Sequence, residues 1–269
     1  MKNKKKRPVI VIAEDDSDML NFLNERLSLK YNVLKALNGK DAWHIVQKTI
    51  PHMVLSDILM PGMDGNELCR LIKTTLETSH IPVILLTARV GDDNIIHGYK
   101  NRADRYITKP FSLDVLEAQI EQLLDTRKKL IDLFSKKILL KPKDITITSL
   151  DEKYLSKLMQ IIEENISNSE FDVNQVVNKM NMSHSAVLKK IKALTDLSLV
   201  DFIRNYRLKK AAMILEKEKL PISEVAYMVG FSDAKYFSKC FSKQFGKTPT
   251  EFLNDQGEDM KDNQINTLD

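Results

Sequence analysis

Cysteine is nearly absent from this 269-residue chain: Cys69 and Cys240 are the only two, far apart, each in a helix-like pattern beside apolar neighbours. That excludes a disulfide framework and fits a reducing cytoplasm. Glycine and proline are also sparse, at 8 each, so neither a collagen-like nor a low-complexity class applies. No apolar run approaches the roughly 18 residues of a membrane span. The longest, such as Val9–Ala13 and Val83–Leu86, are strand-sized. The basic start, Lys2 to Arg7, precedes too short an apolar run for a secretory signal and reads as a solvated tail. There is no phosphate-cradling glycine-rich loop and no nucleophile–base pair, which argues against a nucleotide-hydrolysing or metabolic enzyme.

What is present suggests two domains. Apolar residues make up 43% of the chain, enough for real cores, and the net charge of +4 conceals an asymmetry. Acidic residues outnumber basic ones from Pro8 to Thr126. The reverse holds from Arg127 to Leu150 and again from Ser183 to Lys210, where Lys189, Lys190, Lys192, Arg204, Arg207, Lys209 and Lys210 face only Asp196 and Asp201. The split suggests an acidic module joined to one that meets a polyanion.

Strand and helix patterns alternate through the first half. Strands are expected at Val9–Ala13, Val33–Ala36, Met53–Ser56, Val83–Leu86 and Arg105–Thr108. Helices are expected at Asp18–Leu29, Lys40–Lys48, Glu67–Thr75, Asp92–Tyr99 and Leu113–Leu124. Five such units with short connections predict a parallel, doubly wound sheet. Polar residues follow the strands: Glu14, Asp15 and Asp16 after the first, Asp57 after the third, Thr87 after the fourth, Lys109 before Pro110 after the fifth. In such a sheet these ends share one rim, where ligands bind. Carboxylates gathered there repel one another and call for a cation, and all-oxygen donors suit Mg²⁺. A threonine hydroxyl and a lysine ammonium can hold phosphoryl oxygens, so the set suits phosphoryl transfer onto a carboxylate. Taken singly, a strand-end aspartate is more often a helix N-cap than a ligand. The ordered set, each member on its own turn, carries the inference.

The stretches VIAEDD, LSDILMPGMDG, ILLTAR and YITKPF resemble the receiver domain of two-component response regulators over roughly residues 8–127. The resemblance implies a flavodoxin-like, five-stranded α/β fold. It also implies that Asp57 accepts phosphate from a histidine kinase, and that Asp15, Asp57 and the Leu59 carbonyl bind Mg²⁺ with Glu14 assisting. Thr87 and Lys109 would sense the phosphoryl group, Tyr106 would be the switch aromatic, and the Lys109–Pro110 bond would be cis. One departure is Arg102-Ala-Asp-Arg105-Tyr106, where the family usually has Gly-Ala-Asp-Ala-Tyr. Losing that glycine removes an easy left-handed turn, and Arg105 alters the face on which receivers often dimerise.

Residues 128–150 read as a linker: a helical stripe continuing past the receiver, Pro142 as a stop, and Ile145–Thr148 as a short strand or extended link. Ser149 or Asp151 would cap the next helix. From Asp151 onward the pattern is all helical. Two short helices joined at Asn181-Met-Ser183, and again at Gly230-Phe-Ser232, form two helix-turn-helix units separated by a long helix, Leu199–Glu216. A rigid spacer of that kind can present both later helices to successive major grooves. DFIRNYRLKKAAMILE and ISEVAYMVGFSDAKYFSKCFSKQFGKTPTEFL resemble the AraC-type DNA-binding domain over about 151–254, although Asp196 and Leu199 stand where relatives often have glycine and proline. Residues 255–269 read as a disordered tail, 1–7 as a basic one. The resemblance makes His184, Ser185, Lys189 and Lys192, with Asp233, Lys235 and Lys239, the candidate DNA contacts. The order receiver then AraC-type domain also resembles part of hybrid systems that carry sensor, kinase and regulator in one polypeptide. The leading expectation is a cytoplasmic, non-enzymatic transcription regulator that binds double-stranded DNA, dimerises on phosphorylation and makes no membrane contact. A phosphorelay intermediate and a phosphate-independent regulator are the alternatives.

Overall fold

In the computed structural model, residues 7–88, 103–136, 142, 146, 148–218 and 220–254 are described. The chain forms two compact units, Met1–Asp132 with Thr146–Glu152, and Leu133–Ile145 with Lys153–Asp269.

The first unit holds five parallel strands in the order β2-β1-β3-β4-β5: β1 Val9–Ala13, β2 Asn32–Ala36, β3 Met53–Asp57, β4 Val83–Thr87 and β5 Arg105–Thr108. Helices α1 Ser17–Leu27, α2 Gly39–Thr49, α3 Gly65–Thr74 and α4 Leu113–Lys136 cover it. The period of two sorts the core. Ile10, Ile12, Leu55, Ile84 and Leu86 pack with Leu23 of α1 and Leu116 and Ile120 of α4. Val11, Ala13, Val54, Val83 and Leu85 pack with Val46 of α2 and Leu68 and Ile72 of α3. A sheet covered on both faces needs apolar residues on both, which is why these strands read as unbroken apolar runs.

Several expectations change, and one lies outside the described residues. Asp57 and Thr87 close their strands rather than follow them. The helix expected at Asp92–Tyr99 lies outside the described residues. Helix α4 continues well past Leu124 to Lys136, and Arg127 donates to the His80 carbonyl, so the first part of the basic stretch is helical, as its apolar stripe suggests. Thr146 and Thr148 lie in no strand. Thr148 takes the capping place before α5 Ser149–Glu163: its hydroxyl accepts from the Asp151 amide at 3.2 Å.

The second unit is helical: α6 Val173–Met180, α7 His184–Thr195, α8 Leu199–Lys217, α9 Ile222–Met228 and α10 Ala234–Phe245 follow most of α5, with a short turn of helix over 249–254. The caps are local and legible. Asp172 accepts from the Gln175 amide, Ser183 from Ala186 and Ser198 from Asp201. Asp196 ends α7 at φ 58, the left-handed conformation that glycine adopts more readily, and Leu199 is the first residue of α8, a position proline suits. The two departures from the family pattern are therefore both tolerable backbone choices. Phe237 and Phe241 are fully buried among Leu208, Ala211, Val225 and Phe231. Each such ring contributes roughly 1.5–3 kcal/mol by burial. Cys240 and Phe245 of the same helix are only half-buried.

Candidate functional site

The register brings the strand ends level: Ala13 lies beside Ser56, Asp57 beside Leu86, and Thr87 beside Thr108. The residues that end or follow those strands therefore meet at one rim. The Lys109 ammonium lies 2.8 Å from a Glu14 oxygen and 2.7 Å from an Asp57 oxygen. Carboxylate oxygens of Glu14, Asp15 and Asp57 all lie within 4.8 Å of one another. Glu14 and Asp57 are buried, Asp57 with 8% exposure, while Asp15 is exposed. The Leu59 amide reaches an Asp57 oxygen at 3.3 Å. Thr87 is buried beside this cluster at the end of β4, and the Lys109–Pro110 peptide is cis.

The electrostatics follow from crowding. Burial pushes the Glu14 carboxyl above its ordinary value; the Lys109 hydrogen bond opposes this and the Asp57 charge adds to it. Burial alone would lower the Lys109 ammonium, but its bonds to Asp57 and Glu14 outweigh that and hold it high. Three carboxylates with one ammonium leave an acidic, oxygen-only pocket, a donor set that fits a hard divalent cation such as Mg²⁺.

The bland reading of a strand-end aspartate holds for one residue of the three. Asp16 is the N-cap of α1, its side chain accepting from Asp18 and Met19. Asp57 caps nothing: Asp64 caps α3, and Asp57 is left for Lys109. Gly65 makes this possible. A Cβ there would sit 2.1 Å from the Asp57 carbonyl oxygen, so only glycine lets α3 start so close behind the acid. Tyr106 is half-buried in β5 against the α2–α3 side of the core, and burial, with Cys69 adding, pushes its phenol up to about 12. Arg105 folds back onto its own unit, donating to Gln119 and to the Asp104 carbonyl.

Sequence reasoning missed a second buried pair in this unit. Lys73 donates to Asp104 at 2.6 Å and to the Ile81 carbonyl at 2.8 Å, and the same Asp104 oxygen accepts the Val83 amide at 2.7 Å. It ties α3 to the starts of β4 and β5. Nothing local in the sequence pairs residues 31 apart.

In the second unit His184, Ser185 and Lys189 are exposed on α7, and Lys235 and Lys239 on α10. Asp233 is exposed but serves as the N-cap of α10. Lys192 is exposed, yet its ammonium is held by the Asp196 carboxylate at 2.7 Å and by the Asp196 carbonyl. The basic run read as a polyanion surface is largely something else. Lys190, Arg207 and Lys209 are buried, Arg204 pairs with Asp201, and Lys210 pairs with Glu163. Of the seven, Lys189 alone is exposed with no ion pair among the described residues.

Residues 10–121 match the response regulator receiver domain family, and residues 176–255 match a helix-turn-helix domain family. Histidine kinase P4 of Formosa agariphila is 41% identical over 250 residues, which is 93% of this chain and 18% of that protein. The phosphate regulon transcriptional regulatory protein PhoB of Rhizobium meliloti is 33% identical over 122 residues, 45% of this chain and 54% of that one. This chain thus spans only part of the length of either relative. A crystal structure of the signal receiver domain of a histidine kinase from Syntrophus aciditrophicus shares 34% identity, covering 44% of this chain and 91% of that one, with a TM-score of 0.42. None of the helices of the described residues is long and apolar enough to cross a membrane.

Proposed function

The chain joins a response regulator receiver domain to an AraC-type helix-turn-helix domain, and on that premise we propose a transcription regulator whose DNA binding is set by phosphorylation of Asp57. Residues 8–127 act as receiver, 128–150 as connector and 151–254 as the DNA-binding part. The observation that carries the reading is the Lys109 ammonium seated between Glu14 and Asp57 at a rim where three carboxylates converge. That is a poised charge balance, and adding a dianionic phosphoryl group changes it most.

Receiver domains bind Mg²⁺ at such an acidic pocket. Here Glu14, Asp15, Asp57 and the Leu59 carbonyl would hold it, and when bound it neutralises carboxylate and phosphoryl charge. This chain's own residues do the rest. Asp57 presents the attacking carboxylate oxygen to a phosphohistidine of a histidine kinase. Lys109 moves its hydrogen bonds from carboxylate to phosphoryl oxygens, and the Thr87 hydroxyl donates to another. Tyr106, half-buried in the neighbouring strand, repacks toward the space Thr87 vacates. A dimer or a released DNA-binding part follows. That the sequence matches 18% of a histidine kinase supports a kinase donor, on a separate chain or in the same polypeptide. In the second unit the exposed His184, Ser185, Lys189, Lys235 and Lys239 approach the duplex, the lysines as phosphate contacts that position without specifying.

The test is recovery of genomic DNA fragments at one fixed salt concentration with Mg²⁺, with and without beryllofluoride, for wild type and Asp57→Ala. Tighter recovery of a few paired sites, lost in Asp57→Ala, is the expected result. Specific sites with no response would remove phosphate control and keep the regulator. No enrichment in either state would remove DNA binding and favour a phosphorelay.

A further inference from the structure

A cavity of about 410 Å³ opens within the second unit, between the start of α6, the first half of α8 and the turn before α10. Its volume falls in the range of small-molecule sites. Phe171, Val200, Ile203 and Phe231 give it an apolar wall, and the exposed Tyr236 adds a second aromatic face.

Its charged lining is lopsided. Asp172 is committed to capping α6, accepting from the Gln175 amide at 2.9 Å. Arg204 is tied to Asp201. Arg207 has 9% exposure and no carboxylate partner among the described residues. Its two terminal nitrogens donate to the Gly230 carbonyl at 3.1 Å and the Asn168 carbonyl at 2.6 Å, and its Nε has no partner. A guanidinium has five N–H donors in a fixed fork; with Nε sealed from solvent and one N–H of each terminal nitrogen used, the second N–H on each terminal nitrogen is what an occupant could engage. Gly230 makes room for it, since a Cβ at that position would stand 2.9 Å from the guanidinium carbon. A buried cation satisfied only by carbonyl dipoles lacks the anion that ordinarily compensates the loss of water.

We propose that this cavity binds a small amphipathic carboxylate, its apolar body against Phe171, Ile203 and Phe231 and its carboxylate at the unused donors of Arg207, with Arg204 at the edge. The apolar wall selects against a bare inorganic anion, and the single buried cation selects against a neutral ligand. The cavity touches both helix-turn-helix units, so an occupant would set their spacing.

The test is calorimetric and saturation-transfer titration of the full chain with 4-phenylbutyrate, its neutral amide and inorganic phosphate, at one salt concentration and without DNA. The acid is expected to bind at least about tenfold more tightly than the amide, the scale of one charge-assisted hydrogen-bonded pair. Val200→Trp, at an exposed wall position that tolerates bulk, should abolish binding. Arg207→Lys should erase most of the preference for the acid, and Arg204→Gln should weaken it if the lysine variant fails to fold. Absence of saturable binding, equal binding of acid and amide, phosphate binding as tightly as the acid, or unchanged affinity in Val200→Trp would each overturn the proposal. None of these readouts involves Asp57 or DNA, so failure here leaves the phosphorylation reading standing.

Discussion

Removing the Lys73 ammonium should loosen the receiver from the side opposite its acidic rim. In Lys73→Met, Asp104 keeps only the Val83 amide as partner and the Ile81 carbonyl loses its donor. The side chains are 4% and 14% exposed, so water cannot readily substitute. Breaking one partner of a buried pair costs about 3–5 kcal/mol, because the remaining charge is stranded. Asp104→Asn should cost a similar amount, because the Lys73 ammonium, the more deeply buried partner, loses its counter-charge even though an amide oxygen can still accept from Val83. In the double variant neither charge is stranded, and a coupling of about 2–3 kcal/mol between the substitutions is expected. The assay is urea unfolding followed by the fluorescence of Trp43, the chain's one tryptophan, which packs against the same core cluster as Ile72 and Val83 and so reports this unit. Single effects below about 1 kcal/mol, or strict additivity in the double variant, would refute the argument. Because Asp104 precedes β5, which carries Tyr106 and leads to Lys109, the variant should also bind beryllofluoride more weakly.

Asp57→Asn should accept no phosphate from a kinase or small phosphodonor, read as loss of the shifted band on phosphate-affinity gels. Gly230→Ala should destabilise the second unit by at least about 2 kcal/mol in thermal unfolding, because φ is +78 and the added Cβ would lie 2.3 Å from the Ile166 carbonyl. Lys239→Ala and Lys189→Ala should each weaken binding to all duplexes alike and reduce the slope of log affinity against log salt by about 1, whereas Lys192→Ala, already paired with Asp196, should change it less. Glu117 is held below its ordinary 4.5 by Lys30 and then Arg26. A depressed carboxyl stabilises above its unfolded value and loses that contribution as pH falls through its folded one. The stability gap between wild type and Glu117→Gln, on the order of 1 kcal/mol, should therefore be full near pH 6 and shrink below about pH 4.5.

The acidic rim was legible because each member sits at the end of a strand, and strands announce themselves locally. Once five apolar runs alternate with helices, parallel topology places Glu14, Asp57, Thr87 and Lys109 together without knowledge of any long-range contact. The Lys73–Asp104 pair was not legible for the converse reason. Lys73 sits in the last turn of a helix, where a basic residue is ordinary, and its burial is fixed by which loop happens to cover it. The close approach of Gly65 to Asp57 is of the same kind: the sequence shows a glycine after an aspartate, but not what it lies against.

The basic run of the second unit divides by helix face, and that division is legible in the sequence. Val187, Lys190, Ile191 and Leu194 follow the i, i+3, i+4, i+7 spacing of one helix face, so Lys190 belongs to the buried stripe, and it is 0% exposed. Ile203, Arg207 and Ala211 stand four apart in the same way, and Arg207 is buried between them. Lys192 and Asp196 are an i, i+4 pair and are found in contact. Counting charge along a segment treats every lysine as a surface lysine. Helical period assigns each one a face first, and leaves Lys189 exposed on α7 beside the Asp196-paired Lys192, and Lys235, Lys239 and Lys243 exposed on α10. A duplex would then meet Lys189 on α7 and a row of three lysines, four residues apart, on α10, rather than one basic stripe running through residues 183–210. Such a surface gives weak non-specific attraction and places the burden of affinity on both helices engaging at once. Any input that changes how many copies of this pair reach one duplex gains leverage for that reason.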